Sequence, residues 1–373
     1  MKAFIFIVLV FGQACASKPP ILDCAKQLRA VIDLGSGSTK MNMAEVDLCE
    51  AAPRIQSKIA RDDSRAVLLE ASKNLTGQIP AEARSQAIAA LNEFREIAKN
   101  VALERGFSSV HLAVVGTHAL RTATNRDVFL SEIQAAGFSV RALTQEEEAK
   151  AGYQAVLASR IPENCGKDNL LVWDTGGGST QFTRSDGESP LFKNFPLGAE
   201  NFRKSFLPLK IQGQKKDACP ADPNSPNPLG KNAGKARLRV AGLAPVKASE
   251  LKTAKACTIG IGGVHNKAVL AQIQKHWRLI APCACGKKPN CLPTPDGYSK
   301  KELQCLTQFL ANKTDCAEEI KGPFARTAVS NLVMVLGFMD QLKIERVRTL
   351  PIHMGDHYLS DARVLTFTPV AAP

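Results

Sequence analysis

Two stretches of this chain carry residue types suited to phosphate chemistry. VIDLGSGSTK spans 31–40 and VWDTGGGSTQ spans 172–181, and the two align almost residue for residue. Each runs an apolar segment into an aspartate, Asp33 or Asp174. Glycines follow: Gly35 and Gly37 in the first, Gly176, Gly177 and Gly178 in the second. Without Cβ atoms in the way, successive N–H groups in such a turn can converge on an anion. Ser36, Ser38, Thr39, Ser179 and Thr180 add hydroxyl donors. An aspartate beside phosphate is repulsive unless a cation lies between them. Mg²⁺ (or Mn²⁺) suits an oxygen-rich site that keeps its waters. Neither stretch has the G-x-x-x-x-G-K-[ST] spacing of a P-loop. The dinucleotide fingerprint G-x-G-x-x-G also fails, because Lys40 stands at its last glycine and His265 ends a second attempt begun at Gly260 and Gly262. A pair of plain β-turns is the bland alternative, and the matched aspartates argue against it.

Hydrolysis also needs a group that steers water. Glu146, Glu147 and Glu148 stand together in TQEEEAKAGY, between the two loops. Thr144 and Glu147 have the spacing of a helix cap, and only one helix face can reach a cleft. A carboxylate beside bound phosphate has a raised pKa and can act as a base. The competing reading is a solvated charge run that benefits from a helix N-terminus. GTHALRTATN (116–125) adds His118, Arg121 and Asn125. Arg121 can hold phosphoryl oxygens, and His118 is as readily a structural turn residue. Gln181 carries no charge, so it can orient a water or a metal-bound water but cannot be a base.

The elements that must position these groups follow from periodicity. Residues 28–47 read as a hairpin around the first loop, and NLLVWDTGGGSTQFTRSD repeats that pattern around the second. A long helix is expected over 80–104, opened by Pro80 and closed by Gly106, with a shorter one over 126–136 and another from Thr144 to about Ser159. TIGIGGVHNKAV gives a third strand–glycine–helix start, with Gly262 and Gly263 at its turn. Residues 212–250 read as a polar surface insertion and 324–343 as a helix. Two related α/β domains facing one another are the expected architecture: 24–143 plus 340–366, and 144–339.

The chain of 373 residues has a formal net charge of +13, which attracts polyanions. Its basic content is not arranged as a recognition helix or an aromatic-studded basic stretch, so specific nucleic-acid recognition is not expected. Residues 1–16 read as a signal peptide, with an apolar run too short to span a bilayer, and a periplasmic or secreted location follows. Acylation at Cys15 is the alternative reading of that segment. No later stretch is apolar and long enough to cross a membrane. All but Cys15 of the 11 cysteines lie beyond this segment, an even set that predicts disulfides. Cys283, Cys285 and Cys291, in the cysteine-rich segment 283–316, could instead be zinc ligands, although they lack paired Cys-X-X-Cys halves.

Taken together and in order, VIDLGSGSTK, GTHALRTATN, TQEEEAKAGY, WDTGGGSTQF, FPLGAE (195–200) and GIGGVHN (260–266) resemble the exopolyphosphatase and guanosine pentaphosphate phosphohydrolase family, part of the actin, sugar-kinase and heat-shock ATPase superfamily. The resemblance covers residues 29–210 well and 255–365 more loosely. It implies two RNase H-like domains with mixed sheets flanked by helices and an active site in the cleft between them. It implies Glu148 as catalytic base and metal-site carboxylate, with Asp33 and Asp174 around a divalent cation. Phosphate would be held by Arg121, the first loop (Gly35–Thr39), Asn125, the second loop (Gly176–Thr180), and Gly262 and Gly263. The substrate implied is a polyanionic phosphate, foremost inorganic polyphosphate, and a homodimer is compatible with the family. The family usually has glutamate where Gln181 stands. Glutamine there is familiar from the related apyrases, so a nucleoside di- or triphosphate hydrolase or a (p)ppGpp phosphohydrolase is the second expectation. A non-catalytic polyphosphate-binding protein is the third.

Overall fold

A computed structural model describes residues 26–372 apart from 49–53, 60–63, 74, 164, 186–188, 208–221, 223, 254–255, 287–290 and 362–364. The expected leader and Cys15 lie outside the described residues. Strands β1 (Lys26–Leu34), β2 (Thr39–Asp47), β3 (Arg54–Ile59), β4 (Ser64–Arg65), β5 (Ser109–Gly116) and β6 (Val140–Ala142) build a first mixed sheet. A second sheet is built from β7 (Leu170–Thr175), β8 (Thr180–Arg184), β9 (Leu191–Phe195), β10 (Cys257–Ile261), β11 (Gly297–Ser299) and β12 (Arg346–Thr349). The chain then returns, and β13 (Thr368–Ala371) closes the first sheet beside β5. The spatial orders are β13-β5-β1-β2-β3 and β11-β12-β10-β7-β8-β9.

The internal echo is a structural one. β1 pairs antiparallel with β2 and parallel with β5; β7 pairs antiparallel with β8 and parallel with β10. In the hairpin registers Asp33 faces Lys40, and Asp174 faces Gln181. Each glycine loop is therefore the tip of a hairpin whose first strand is buried at the centre of its sheet.

The helix Ala81–Glu104 buries Ala83, Ala87, Leu91, Phe94, Ala98 and Val101 against the first sheet, a spacing of three and four that makes one apolar face. It stops where the sequence indicates. Gly106 adopts φ +74°, its N–H donates to Leu103 O, and Phe107 N–H donates to Ala102 O, a Schellman closure. The helix Ala325–Leu342 is buried almost throughout in the second domain.

Two expectations change. Part of the expected surface insertion is a helix, Asn232–Leu243, which buries Ala236 and Val240 in the second core. It lies so close to the helix Ala325–Leu342 that a Cβ on Gly337 would sit 2.4 Å from Val240 Cγ2. Its small apolar residues, spaced four apart among lysines and arginines, hide an inward face in a polar-looking stretch. The expected return to the first domain at 340 is also too early. β12 pairs with β10, so the crossing follows Thr349, and the helix Met354–Ser360 then packs on β1 and β2.

The helix Gln145–Leu157 joins the two halves. Its Ala151 packs with Val31, Val115 and Tyr358, while its Tyr153, Ala155 and Val156 pack with Leu170, Val172 and Ile259. Disulfides join Cys165 to Cys257, Cys283 to Cys305 and Cys285 to Cys291, and Cys316 is disulfide-bonded as well. The zinc alternative for Cys283, Cys285 and Cys291 is thereby removed, since their thiols are consumed. Among the described residues no helix is long and apolar enough to cross a membrane.

Candidate active site

The two hairpin tips meet at the floor of a cavity of about 320 Å³. Asp33, Gly35–Ser38 and Lys40 line it from the first domain. Asp174–Ser179, Gly262 and Gly263 line it from the second, and Glu148 from the joining helix. The approach of the loops is tight: a Cβ on Gly178 would lie 2.3 Å from His118 Cδ2 and 2.6 Å from Ser36 Oγ. The third glycine turn closes the other side. Gly262 has φ +83°, which favours glycine, and a Cβ there would meet Asp174 Oδ1 at 2.5 Å.

Strand ends set the direction of the loop amides. In a planar trans peptide the C=O and the next N–H point opposite ways. Ser36 O accepts from Glu70 N–H, and Gly176 O and Gly177 O accept from Ala199 N–H and Glu200 N–H. With those carbonyls tied into the protein, the amides of Gly37, Gly177 and Gly178 face away from it. That is the arrangement an anion needs.

Asp33, Asp174 and Glu148, three of the carboxylates lining the cavity, are buried and electrostatically coupled. Burial pushes Asp33 and Asp174 up to about 6; Lys40 pulls both back, and Asp174 adds a further upward push on Asp33. Burial pushes Glu148 up to about 8, against the pull of Arg121 and with a further push from Asp174 and Asp33. Glu148 lies one turn into a helix capped by a full box, in which Thr144 Oγ1 accepts from Glu147 N–H and Glu147 Oε2 accepts from Thr144 N–H. The cap engages Glu147, which also pairs with Arg141, and the helix face turns Glu148 inward. Arg121 Nη1 donates to Glu148 Oε2 at 3.1 Å and to Leu143 O at 2.8 Å, while its Nη2 is buried without a partner among the described residues.

Other expected site residues lie elsewhere. Asn125 does not reach the cavity: both ends of its amide clasp the backbone of Ile79, at 3.0 and 2.9 Å. Thr180 Oγ1 donates to Leu197 O, and Thr39 is fully buried in its strand; neither lines the cavity. Gln181 is buried behind the second loop, where its Nε2 donates to Ser179 Oγ at 2.9 Å. His118 also stands behind the loops, 3.3 Å from Asn201 Nδ2, with its pKa lowered to about 4 by burial, Arg121 and Lys73. Lys40 is a cavity residue that motif reading passes over. Its signal is the register, because the hairpin that ends β1 at Asp33 sets Lys40 opposite it.

The residues fit a divalent cation held by few protein ligands. Asp33 Oδ1 is buried and has no hydrogen-bond partner among the described residues. No three His, Cys, Asp or Glu side chains there are close enough to cage a metal, so Asp33, Asp174 and Glu148 are not a ready-made triad. Two carboxylates completed by phosphate oxygens and water are what Mg²⁺ ordinarily accepts.

Residues 51–220 match the Ppx/GppA phosphatase family. Two curated proteins are similar to less than half of the chain. The bifunctional 3-dehydroquinate synthase/phosphatase of Fusobacterium nucleatum is 29% identical over 157 residues, 42% of this chain and 23% of the relative. The guanosine-5'-triphosphate,3'-diphosphate pyrophosphatase of Photobacterium profundum is 35% identical over 161 residues, 43% of this chain and 29% of the relative. The chain thus spans under a third of the length of these relatives. Two solved structures share the fold across most of the chain. An exopolyphosphatase from Cytophaga hutchinsonii has a TM-score of 0.65 at 18% identity, covering 89% of this chain and 96% of that one. The Aquifex aeolicus Ppx/GppA enzyme has a TM-score of 0.59 at 16% identity, covering 90% and 99%. The two-domain actin-like architecture expected from the sequence is the one observed.

Proposed function

We propose that the chain is a phosphoanhydride hydrolase that releases terminal orthophosphate from inorganic polyphosphate. The observation that carries the reading is Glu148, a buried carboxylate that lines one cavity together with two phosphate loops. The terminal phosphoryl group docks on the amides of Gly37, Gly177 and Gly178 and on the hydroxyls of Ser36, Ser38 and Ser179. Glu148 takes a proton from water as its oxygen bonds to phosphorus. The bond to the bridging oxygen breaks, and the shortened chain leaves with the electron pair and takes up a proton. Arg121 donates to Glu148 Oε2 and orients it, without itself lining the cavity. A divalent cation at Asp33 and Asp174 supplies charge neutralisation for the phosphate oxygens when bound. Lys40, between the two aspartates in the electrostatics of the floor, shares that work.

A specific observation favours a second substrate, a nucleoside triphosphate. The wall opposite the loops carries Val264, Pro323 and the half-exposed ring of Phe324, with Gln272 and Asn331 among them. The side-chain oxygens of Gln272 and Asn331 are buried without hydrogen-bond partners among the described residues, as acceptors for a planar heterocycle would be. The disulfides fit the expected exported location, since such bonds persist in oxidising compartments. The test is orthophosphate release in Mg²⁺ from polyphosphate, ATP, GTP and pppGpp side by side. Fastest turnover of polyphosphate supports the first reading, and fastest turnover of a nucleotide supports the second. No release from any of the four rejects hydrolysis.

A further inference from the structure

The short helix Ala199–Lys204 does more than follow the second loop. Three consecutive residues of it hold three consecutive loop carbonyls. Ala199 N–H donates to Gly176 O, Glu200 N–H to Gly177 O, and the side chain of Asn201 to Gly178 O at 2.9 Å. The first two are backbone bonds that any sequence could make. The third depends on one side chain, and that side chain also reaches across the cleft.

Asn201 Nδ2 donates to Gly178 O and to Pro196 O at 3.1 Å, which fixes the amide with its NH₂ toward both carbonyls. Its remaining contact, at 3.3 Å, is with Nε2 of His118 in the first domain. With Asn201 as the donor, that nitrogen accepts and His118 carries its proton on Nδ1; Glu70 Oε2 stands 3.9 Å from the same Nε2. Its pKa, lowered to about 4, keeps it in this neutral form. Two hydrogens serve three acceptors, so the contact with His118 is the longest and the most sensitive to any movement between domains. Beside it, Lys204 Nζ donates to Glu70 O at 3.0 Å, and Glu70 N–H in turn holds Ser36 O of the first loop. Both loops are thus tied, through one step each, to the same contact between domains.

We infer that Asn201 and His118 are a positioning pair: through them the first domain sets the plane of the Gly178–Ser179 peptide, so the Ser179 amide is aimed at phosphate only while the domains are engaged. The inference rests on the phosphohydrolase reading of the site. Neither residue touches the reacting atoms, and neither lines the cavity. A misdirected amide weakens the transition state more than the ground state, because developing charge on phosphoryl oxygens depends on donor direction.

The experiment compares Asn201→Ala, His118→Ala, their double variant and His118→Gln in the full chain, using tripolyphosphate and Mg²⁺. Each alanine variant is expected to lower kcat about 10-fold with KM within about 2-fold, and the double variant to be no worse than the worse single, as for residues acting as a unit. His118→Gln, whose amide oxygen can still accept, is expected to recover most of the loss. Multiplying losses in the double variant, or a rise in KM with kcat intact, would overturn the inference. Hydrogen exchange of the segment 174–182 gives a readout that needs no turnover. Exchange faster in both alanine variants than in the parent supports the pair even if no phosphate is ever released, and unchanged exchange rejects it. If an alanine variant does not fold, Asn201→Asp replaces it, keeping the shape and losing the donor, with the same outcomes read.

Discussion

At the scale of residues, the two hairpins resemble each other but are not chemically equal. Asp33 faces a lysine across its hairpin and Asp174 faces a glutamine. Lys40 therefore supplies the one side-chain cation lowering both aspartate pKa values, while Gln181 spends its amide on Ser179. A glutamate at 181 would lose that donor and add negative charge beside Asp174. We expect Gln181→Glu to need less Mg²⁺ for half-maximal phosphate release, by about 3-fold or more, since an added negative charge beside a cation site raises its affinity by at least that much at this range. A Mg²⁺ titration checks it, and an unchanged midpoint would show that Gln181 does not govern the metal. Glycine runs and matched aspartates are local patterns, so the sequence pointed to Asp33, Asp174 and both loops as cavity residues, whereas only the family resemblance separated Glu148 from Glu146 and Glu147. It did not reveal Lys40, whose place depends on strand register. It misplaced Asn125, because an amide near an active-site arginine and an amide clasping a backbone look alike as letters.

At the scale of elements, the helix Gln145–Leu157 carries Glu148, the proposed base, on its first turn and touches both domains. Its cap is therefore a lever on Glu148. Thr144→Ala removes the acceptor for Glu147 N–H and is expected to cost about 1 kcal/mol of stability. Fraying of that turn should also lower kcat more than it raises KM. Denaturant unfolding and initial rates on the same preparation test both, and full activity with reduced stability would show that the cap does not hold Glu148. Helices such as Ala81–Glu104 could be read to within a residue or two, since Pro80 and Gly106 punctuate them. Asn232–Leu243 could not, because its apolar face is three small residues in a basic stretch and becomes visible only against the helix Ala325–Leu342. A buried histidine gives this scale a pH signature. His265 follows the third glycine turn, shares a 2.6 Å hydrogen bond with Tyr298 Oη, and has its pKa lowered to about 3 by burial. Below an unfolded value of about 6.5 the unfolded chain binds a proton that the folded chain refuses, so stability falls with pH, approaching about 1.4 kcal/mol per unit. The buried Asp33, Asp174 and Glu148 act in the opposite sense, losing stability as pH rises. The histidine part is isolated by comparing the parent with His265→Gln from pH 7 to pH 4. Their stability difference should change with pH in that direction, and a constant difference would reject the assignment.

At the scale of the molecule, two sheets present their central hairpins to one cavity, and the helix Gln145–Leu157 and contacts such as Asn201–His118 and Lys204–Glu70 hold them there, while the disulfides Cys165–Cys257, Cys283–Cys305 and Cys285–Cys291 brace the second domain. The Cys165–Cys257 bond closes a loop of sequence separation 92, whereas Cys285–Cys291 closes one of 6. On loop entropy alone the first is worth about 4–5 kcal/mol and the second about half that. Paired Cys→Ala variants should rank in that order by chemical denaturation, and the reverse order would mean that native-state contacts outweigh loop closure. The two-domain plan was legible because the hairpin motif occurs twice. The domain crossing was not, since nothing in RVRTLP says which sheet its strand joins. The central claim is that this cavity hydrolyses phosphoanhydrides with Glu148 as base. Its most direct test is orthophosphate release from polyphosphate in Mg²⁺ by the parent chain and by Glu148→Gln, with substrate binding measured on both. The account predicts steady release by the parent, a loss of about 10²–10⁴-fold in kcat for the variant, and binding within about 3-fold. Undiminished turnover by Glu148→Gln would contradict it.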